Sequence, residues 1–164
     1  MLSHMIGSIR RNHALEHATI AVLAGKLGHD VRLVGRATRN GFYLYGEMEE
    51  DEVSECAQEA LYRLRRGEAH LAISPMCGTN LAVAGLLAGA SSLLALGNRS
   101  RLERVPNVLL ASMMAVLAAQ PLGRLAQKHL TTDPDLSDTE LVGIKQGGRG
   151  PGRFHKVSTS RIRA

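Results

Sequence analysis

Aromatic residues are scarce in this chain of 164 residues, which has no Trp, two Phe and three Tyr. So few rings make a poor stacking platform for nucleic acid bases, although Lys and Arg exceed Asp and Glu by enough for a net charge of +5. The basic residues gather beside apolar runs and near the C-terminus, a pattern suited to an anionic membrane surface. Nucleic acid is therefore not an expected partner, and a lipid membrane is. Cysteine is nearly absent too: Cys56 and Cys77 are the whole complement. Without an export signal at the N-terminus, two cysteines argue against a disulfide framework and leave a thiolate metal ligand open. The third lack is local. Residues 71–98 contain no Asp, Glu, Lys or Arg, and after a basic island at residues 99–104 neither does the run 105–123.

Each uncharged run is close to the ~20 residues that cross a bilayer as a helix. Both are rich in Ala, Gly and Ser, with Gly85 and Gly89 spaced as G-x-x-x-G and Ala111, Ala115 and Ala119 repeating that spacing. Small residues at that interval let helix backbones approach closely. The expectation is a two-helix transmembrane hairpin over residues 79–130, with the preceding domain in the cytoplasm.

The chemistry is concentrated in Arg10-Arg11-Asn12-His13-Ala14-Leu15-Glu16-His17. Two histidines four apart on a helix lie one above the other on one face, so both imidazoles can reach one ion, with Glu16 beside them. The spacing H-x-x-E-H is that of the inverzincins. A helix should run over residues 8–26 and stop at Gly25 and Gly28. Residues 31–35 read as a strand, and Asn40-Gly41 as a hairpin turn returning the chain through residues 42–45. Asp51 or a neighbouring acid opens a second helix, whose apolar stripe Val53, Cys56, Ala57, Ala60, Leu61 and Leu64 recurs at helical spacing. Cys56 falls within that stripe as a small core residue. Residues 70–74 read as a short strand, and Pro75 to Thr79 as a turn that places Cys77 at a helix N-terminus, where a thiolate is favoured. Residues 141–145 and 154–158 are two further short strands in a tail that can add to the sheet. His4, His29, His70, His129 and His155 have no partner at ligand spacing and are assigned to surface or capping positions, with His70 nearest the Cys77 turn.

The organisation expected is α+β. A small α-β-β-α-β metal-binding domain over residues 1–78 precedes the membrane hairpin, and residues 131–164 form a β-like tail.

In this order, the pieces resemble the LuxS/mitochondrial-processing-peptidase-like metallohydrolase superfamily. The LuxS lyases carry H-T-x-E-H on a helix, then C-R-T-G-F-Y at a strand end, an amphipathic helix and C-G-T. The counterparts here are His13 to His17, then Thr38-Arg39-Asn40-Gly41-Phe42-Tyr43, the helix over residues 51–66, and Cys77-Gly78-Thr79. The resemblance implies Zn²⁺, with Fe²⁺ as the alternative, held by His13, His17 and Cys77, and Glu16 acting as a catalytic base. It also implies a second copy of the chain as a partner, because the lyases build their site at a dimer interface. The lyase's catalytic cysteine is Thr38 here, and a hydroxyl cannot replace a low-pKa thiol as proton shuttle. The related peptidases take a third ligand from a downstream Glu, which makes Glu55 and Glu59 rivals to Cys77. The function expected is a membrane-anchored metal-dependent hydrolase of unspecified substrate; the alternative is a non-catalytic membrane protein with a structural metal, acting through partners.

Overall fold

The structure is a computed structural model that describes residues 2–28, 33–95 and 101–162, without the side chains of residues 101–104 and 151. The chain divides into two compact units, Met1–Ser74 together with Leu130–Ala164, and Pro75–His129. The first is an α+β unit of two helices and one antiparallel sheet.

Helix α1 spans Leu2–Leu27. It begins earlier than the expected start at residue 8, because Leu2, Met5, Ile6 and Ile9 continue the helical apolar spacing toward the N-terminus. Strands β1 (Val34–Thr38) and β2 (Gly41–Tyr45) form the hairpin. The expected strand at 31–35 starts later, and its residues 31 and 32 lie outside the described residues, as does His29. Thr38 pairs with Gly41, so Arg39 and Asn40 are the two turn residues and Gly41 takes the positive φ of 129°. Helix α2 spans Glu50–Arg65 and opens with a reciprocal capping box between Glu49 and Glu52.

A fifth element expected as a strand at residues 70–74 is a 3₁₀ turn, Ala69–Ala72. Its Ala-His-Leu-Ala sequence has no β-branched residue, and the segment packs on α1, where the Ala72 carbonyl meets His17 Nδ1. In the tail, β3 (Thr139–Gly147) and β4 (Phe154–Arg161) complete a sheet of order β1-β2-β4-β3. The tail therefore fills the sheet's interior as well as its edge, since β4 lies between β2 and β3.

Strand alternation sends Phe42, Leu44 and Val157 inward, where Leu15, Ala18 and Leu23 of α1 and Val53, Cys56 and Leu64 of α2 meet them. Every residue of that core belongs to this first unit. Phe42 is fully buried, and Phe42→Ala would cost about 3–5 kcal/mol through lost transfer energy and the cavity left behind.

The second unit is a pair of helices, α3 (Gly78–Ala95) and α4 (Arg101–Ala126), the latter ending in a π-helical turn, Gln127–Thr131. Both helices are long and apolar enough to cross a membrane. Only 6% and 11% of their most apolar windows are buried, whereas the core helix of a soluble domain would be mostly buried. Polar bonds tie the pair together: Ser92 Oγ lies 3.0 Å from Ser112 Oγ, and the Ser91 hydroxyl donates to the Ala111 carbonyl at 3.3 Å. A Cβ at Gly85 or Gly89 would meet nothing within 4 Å, so the expected close contact does not run through the G-x-x-x-G. Gly123 is the close-approach glycine instead, with a Cβ there falling 2.9 Å from Asn80 Cγ.

Candidate metal centre

His13 and His17 project from adjacent turns of α1, with ring centroids 4.3 Å apart and planes inclined at 60°. Each Nδ1 meets a backbone carbonyl, His13 that of Thr131 at 3.0 Å and His17 that of Ala72 at 2.8 Å. A carbonyl oxygen only accepts, so both Nδ1 atoms carry the proton and, in the neutral rings, both Nε2 atoms carry a lone pair. Metal-binding imidazoles are set in this way, with the remote nitrogen tied to a carbonyl or carboxylate.

Cys77 sits immediately before α3 and is buried. The Thr79 amide donates to its Sγ at 3.4 Å, so the sulfur is held at the N-terminal end of α3. Asn80 braces this turn, donating to the Pro75 carbonyl at 2.7 Å and accepting from Gln127 Nε2 at 2.9 Å. One donor atom from each of His13, His17 and Cys77 lies within 4.8 Å of the other two. Two neutral imidazoles and a thiolate are a donor set that suits Zn²⁺, with one tetrahedral position left over.

Glu16 is 5% exposed and does not join that group. Its side chain lies over Gly35 of β1, where a Cβ would fall 2.7 Å from Glu16 Cγ and nearer still to the carboxylate. Glu55 and Glu59, the rival ligands, face Lys26 at 3.8 and 3.5 Å on the surface of α2. Thr38 Oγ1 donates to the Gly41 carbonyl at 2.9 Å, closing the hairpin turn.

Sequence reasoning passed over Asn12. It is 3% exposed; its amide donates to the carbonyls of Thr38 and Arg39 at 2.8 and 3.1 Å, and its Oδ1 accepts from Thr159 at 2.8 Å. The residue before the first motif histidine thus locks α1 to the hairpin turn and to β4. An amide next to the motif on an otherwise apolar helix face was the available signal. His155, assigned from sequence to the surface, is instead fully buried on β4. Strand alternation explains it, because His155 shares the inward face with Val157. Neither ring nitrogen has a hydrogen-bond partner, and burial lowers its pKa.

The domain of unknown function DUF6391 matches residues 8–144, a span that contains both histidines, Glu16, Cys77 and the two apolar helices. The chain belongs to the DUF6391 family. It is also similar to an uncharacterized protein of Picosynechococcus sp., with 38% identity over 137 residues covering 76% of this chain. That match spans 65% of the relative's own length. No solved structure matches the chain.

Proposed function

We propose that this member of the DUF6391 family is a membrane-anchored, metal-dependent hydrolase. In this reading His13, His17 and Cys77 hold Zn²⁺, or Fe²⁺, and Glu16 serves as general base. The observation that carries the reading is the pair of imidazoles whose Nδ1 atoms are both tied to backbone carbonyls, with a thiol within ligand reach of them. When bound, the ion supplies Lewis acidity that lowers the pKa of water and polarises a substrate carbonyl or phosphoryl oxygen. The chain's own work is positional. The Thr131 and Ala72 carbonyls hold the imidazole tautomers, the Thr79 amide steadies the sulfur, and Glu16 accepts a proton from water. A carboxylate outside the ligand group suits a base, because it keeps its lone pairs for the proton.

The likeness to the LuxS-type superfamily belongs to the same proposal and is supported by the order of motif helix, hairpin, amphipathic helix and Cys-Gly-Thr turn. Lyase activity is not part of it. The Thr38 hydroxyl is engaged in the hairpin turn and lacks the acidity of a thiol. Membrane anchorage is supported by the exposed apolar surfaces of α3 and α4, including Leu81, Leu86, Leu94, Leu109 and Leu117. We assign the first unit to the cytoplasmic side.

Elemental analysis of the purified protein tests the centre. Wild type and Glu16→Gln should carry one equivalent of metal, while His13→Ala and Cys77→Ser should lose affinity by orders of magnitude. Stoichiometric metal at wild-type affinity in both ligand variants would refute the site. Full function in a metal-loaded Glu16→Gln protein would leave the ion a structural role.

A further inference from the structure

We propose that the outer face of the four-stranded sheet is a docking surface for an anionic lipid bilayer. The inner face is covered by α1 and α2, whereas the outer face carries a basic row that crosses all four strands. Arg36 of β1 pairs with Tyr43 of β2, Tyr43 with Lys156 of β4, and Lys156 with Lys145 of β3. Arg36 and Lys145 are exposed and Lys156 is half-buried, its Nζ 5.7 Å from the centre of the Tyr43 ring. Three cations thus stand in line across the sheet.

The neighbouring row adds aromatic surface. Tyr45 pairs with Phe154, and the rings of Tyr43, Tyr45 and Phe154 form a cluster with centroids 5.7 to 6.5 Å apart. Phe154 lies over Gly147, where a Cβ would fall 2.6 Å from its Cζ, so a bare backbone accepts the ring. Three of the five aromatic residues of the chain are gathered here, a concentration invisible in composition. Tyr45 remains 37% exposed and Val34, opposite it on β1, is exposed as well.

The acids near this sheet are engaged or distant, the Glu50 carboxylate accepting from the Gln146 amide of β3 at 3.1 Å. Glu140 shares the face but pairs with Ser160, about 13 Å along the strand from Lys156. Glu49, beyond the aromatic row, is paired with Arg153 at 3.6 Å. The surface is therefore complementary to a flat array of negative charge, and tyrosines with an apolar body and a polar tip suit the headgroup level of a bilayer. A bilayer is the polyanion the observations favour, because this unit is joined at both ends to the two helices apolar enough to cross one. The inference rests on the membrane placement proposed above. Three cations near an anionic surface favour the docked state by about 100-fold over a neutral bilayer, an advantage that salt screens.

The chain has no Trp, so Tyr45→Trp in the full-length protein gives a single fluorophore on this face. In nanodiscs containing phosphatidylglycerol, its emission should shift to the blue and be quenched by a headgroup spin-labelled lipid. Both effects should vanish in pure phosphatidylcholine discs, at 0.5 M NaCl, and when Arg36, Lys145 and Lys156 are all changed to Gln. Equal quenching in the two lipids, or undiminished quenching in the triple variant, would overturn the inference. So would a larger emission change on adding a single-stranded oligonucleotide to the detergent-solubilised protein than any lipid produces. Failure to enter nanodiscs at all, with the chain soluble in plain buffer, would remove the membrane reading and this inference together.

Discussion

Gly35→Ala tests whether the sheet sets the position of Glu16. A methyl group at residue 35 would fall 2.7 Å from Glu16 Cγ and nearer still to Cδ and Oε1, so the whole side chain has to move. Gly35 is not among the positive-φ residues, so Ala brings no backbone strain and the cost is steric. Overpacking of a filled site costs about 1–3 kcal/mol. Dragging a buried carboxylate from its partners adds about 1–3 kcal/mol more, giving roughly 2–4 kcal/mol once partial relaxation is allowed. For a unit of about a hundred residues this lowers the melting temperature by about 8–15 °C. Circular dichroism melts of Gly35→Ala, Glu16→Ala and the double variant give the decisive number. With the carboxylate already removed, Gly35→Ala should cost less than about 1 kcal/mol, so the coupling between the sites should exceed about 1 kcal/mol. Equal cost in both backgrounds would show that Glu16 does not occupy that space. Metal content should stay at one equivalent in Gly35→Ala, because Glu16 is outside the ligand group.

The other expectations concern neighbouring features. Asn12→Ala removes three part-buried hydrogen bonds at once and should cost about 2–4 kcal/mol by thermal denaturation, and a loss under 1 kcal/mol would contradict the locking role. His155 has a folded-state pKa lowered by burial, with Arg153 adding to the shift and Glu50 and Glu49 opposing it. The unfolded chain then binds the proton more tightly. Stability should be full above the unfolded value of about 6.5 and fall as the pH drops below it, levelling off once the folded-state pKa is passed. His155→Leu should flatten that acid limb in denaturation midpoints compared at pH 8 and pH 5, and an unchanged limb would acquit His155. A cysteine introduced at Ser100 should react with an impermeant reagent in intact cells if the first unit is cytoplasmic, and protection would reverse that assignment.

The α+β class, the motif helix, the hairpin and the amphipathic α2 were legible because each is governed by local periodicity. Val53, Cys56, Ala57, Ala60, Leu61 and Leu64 are buried as their spacing requires. Long-range consequences were not legible. No local pattern says that residues 154–161 insert between β2 and β3, and only that insertion turns His155 inward and collects Phe154 with Tyr43 and Tyr45. The 3₁₀ turn at Ala69–Ala72 was misread for the same reason. Its apolar residues suit a strand equally well, and the segment instead packs on α1, with the Ala72 carbonyl bonded to His17 from 55 residues away. At the candidate centre His13, His17 and Cys77 were legible as residue types at a spacing, and the structure brings them within 4.8 Å of one another. Their backbone partners, Thr131 and Ala72, were not, because carbonyl groups leave no mark in a sequence.

Those two carbonyls also show how the chain is assembled. Ala72 stands just before the chain leaves the first unit and Thr131 just after it returns, so each motif histidine is bonded to one end of the helical insertion. Two bonds of 2.8 and 3.0 Å and rings 4.3 Å apart keep the two carbonyls within about 13 Å, a gap that a linker of about six Gly and Ser residues spans. Among the described residues, the core cluster is drawn from α1, β2, α2 and β4, with Met48, Ala72 and Leu136 beside them. A chain in which such a linker replaces residues 75–129 should therefore fold as a soluble α+β protein, with cooperative melting and dispersed amide resonances. It should lose tight metal binding together with Cys77, and a weaker two-histidine site should remain. A cysteine placed in the linker, five residues after Ala72 as in the native chain, should recover part of the lost affinity. A molten or aggregated product would show that the helical pair is needed to fold the first unit. Recovery of native affinity without any cysteine would show that the third ligand lies elsewhere.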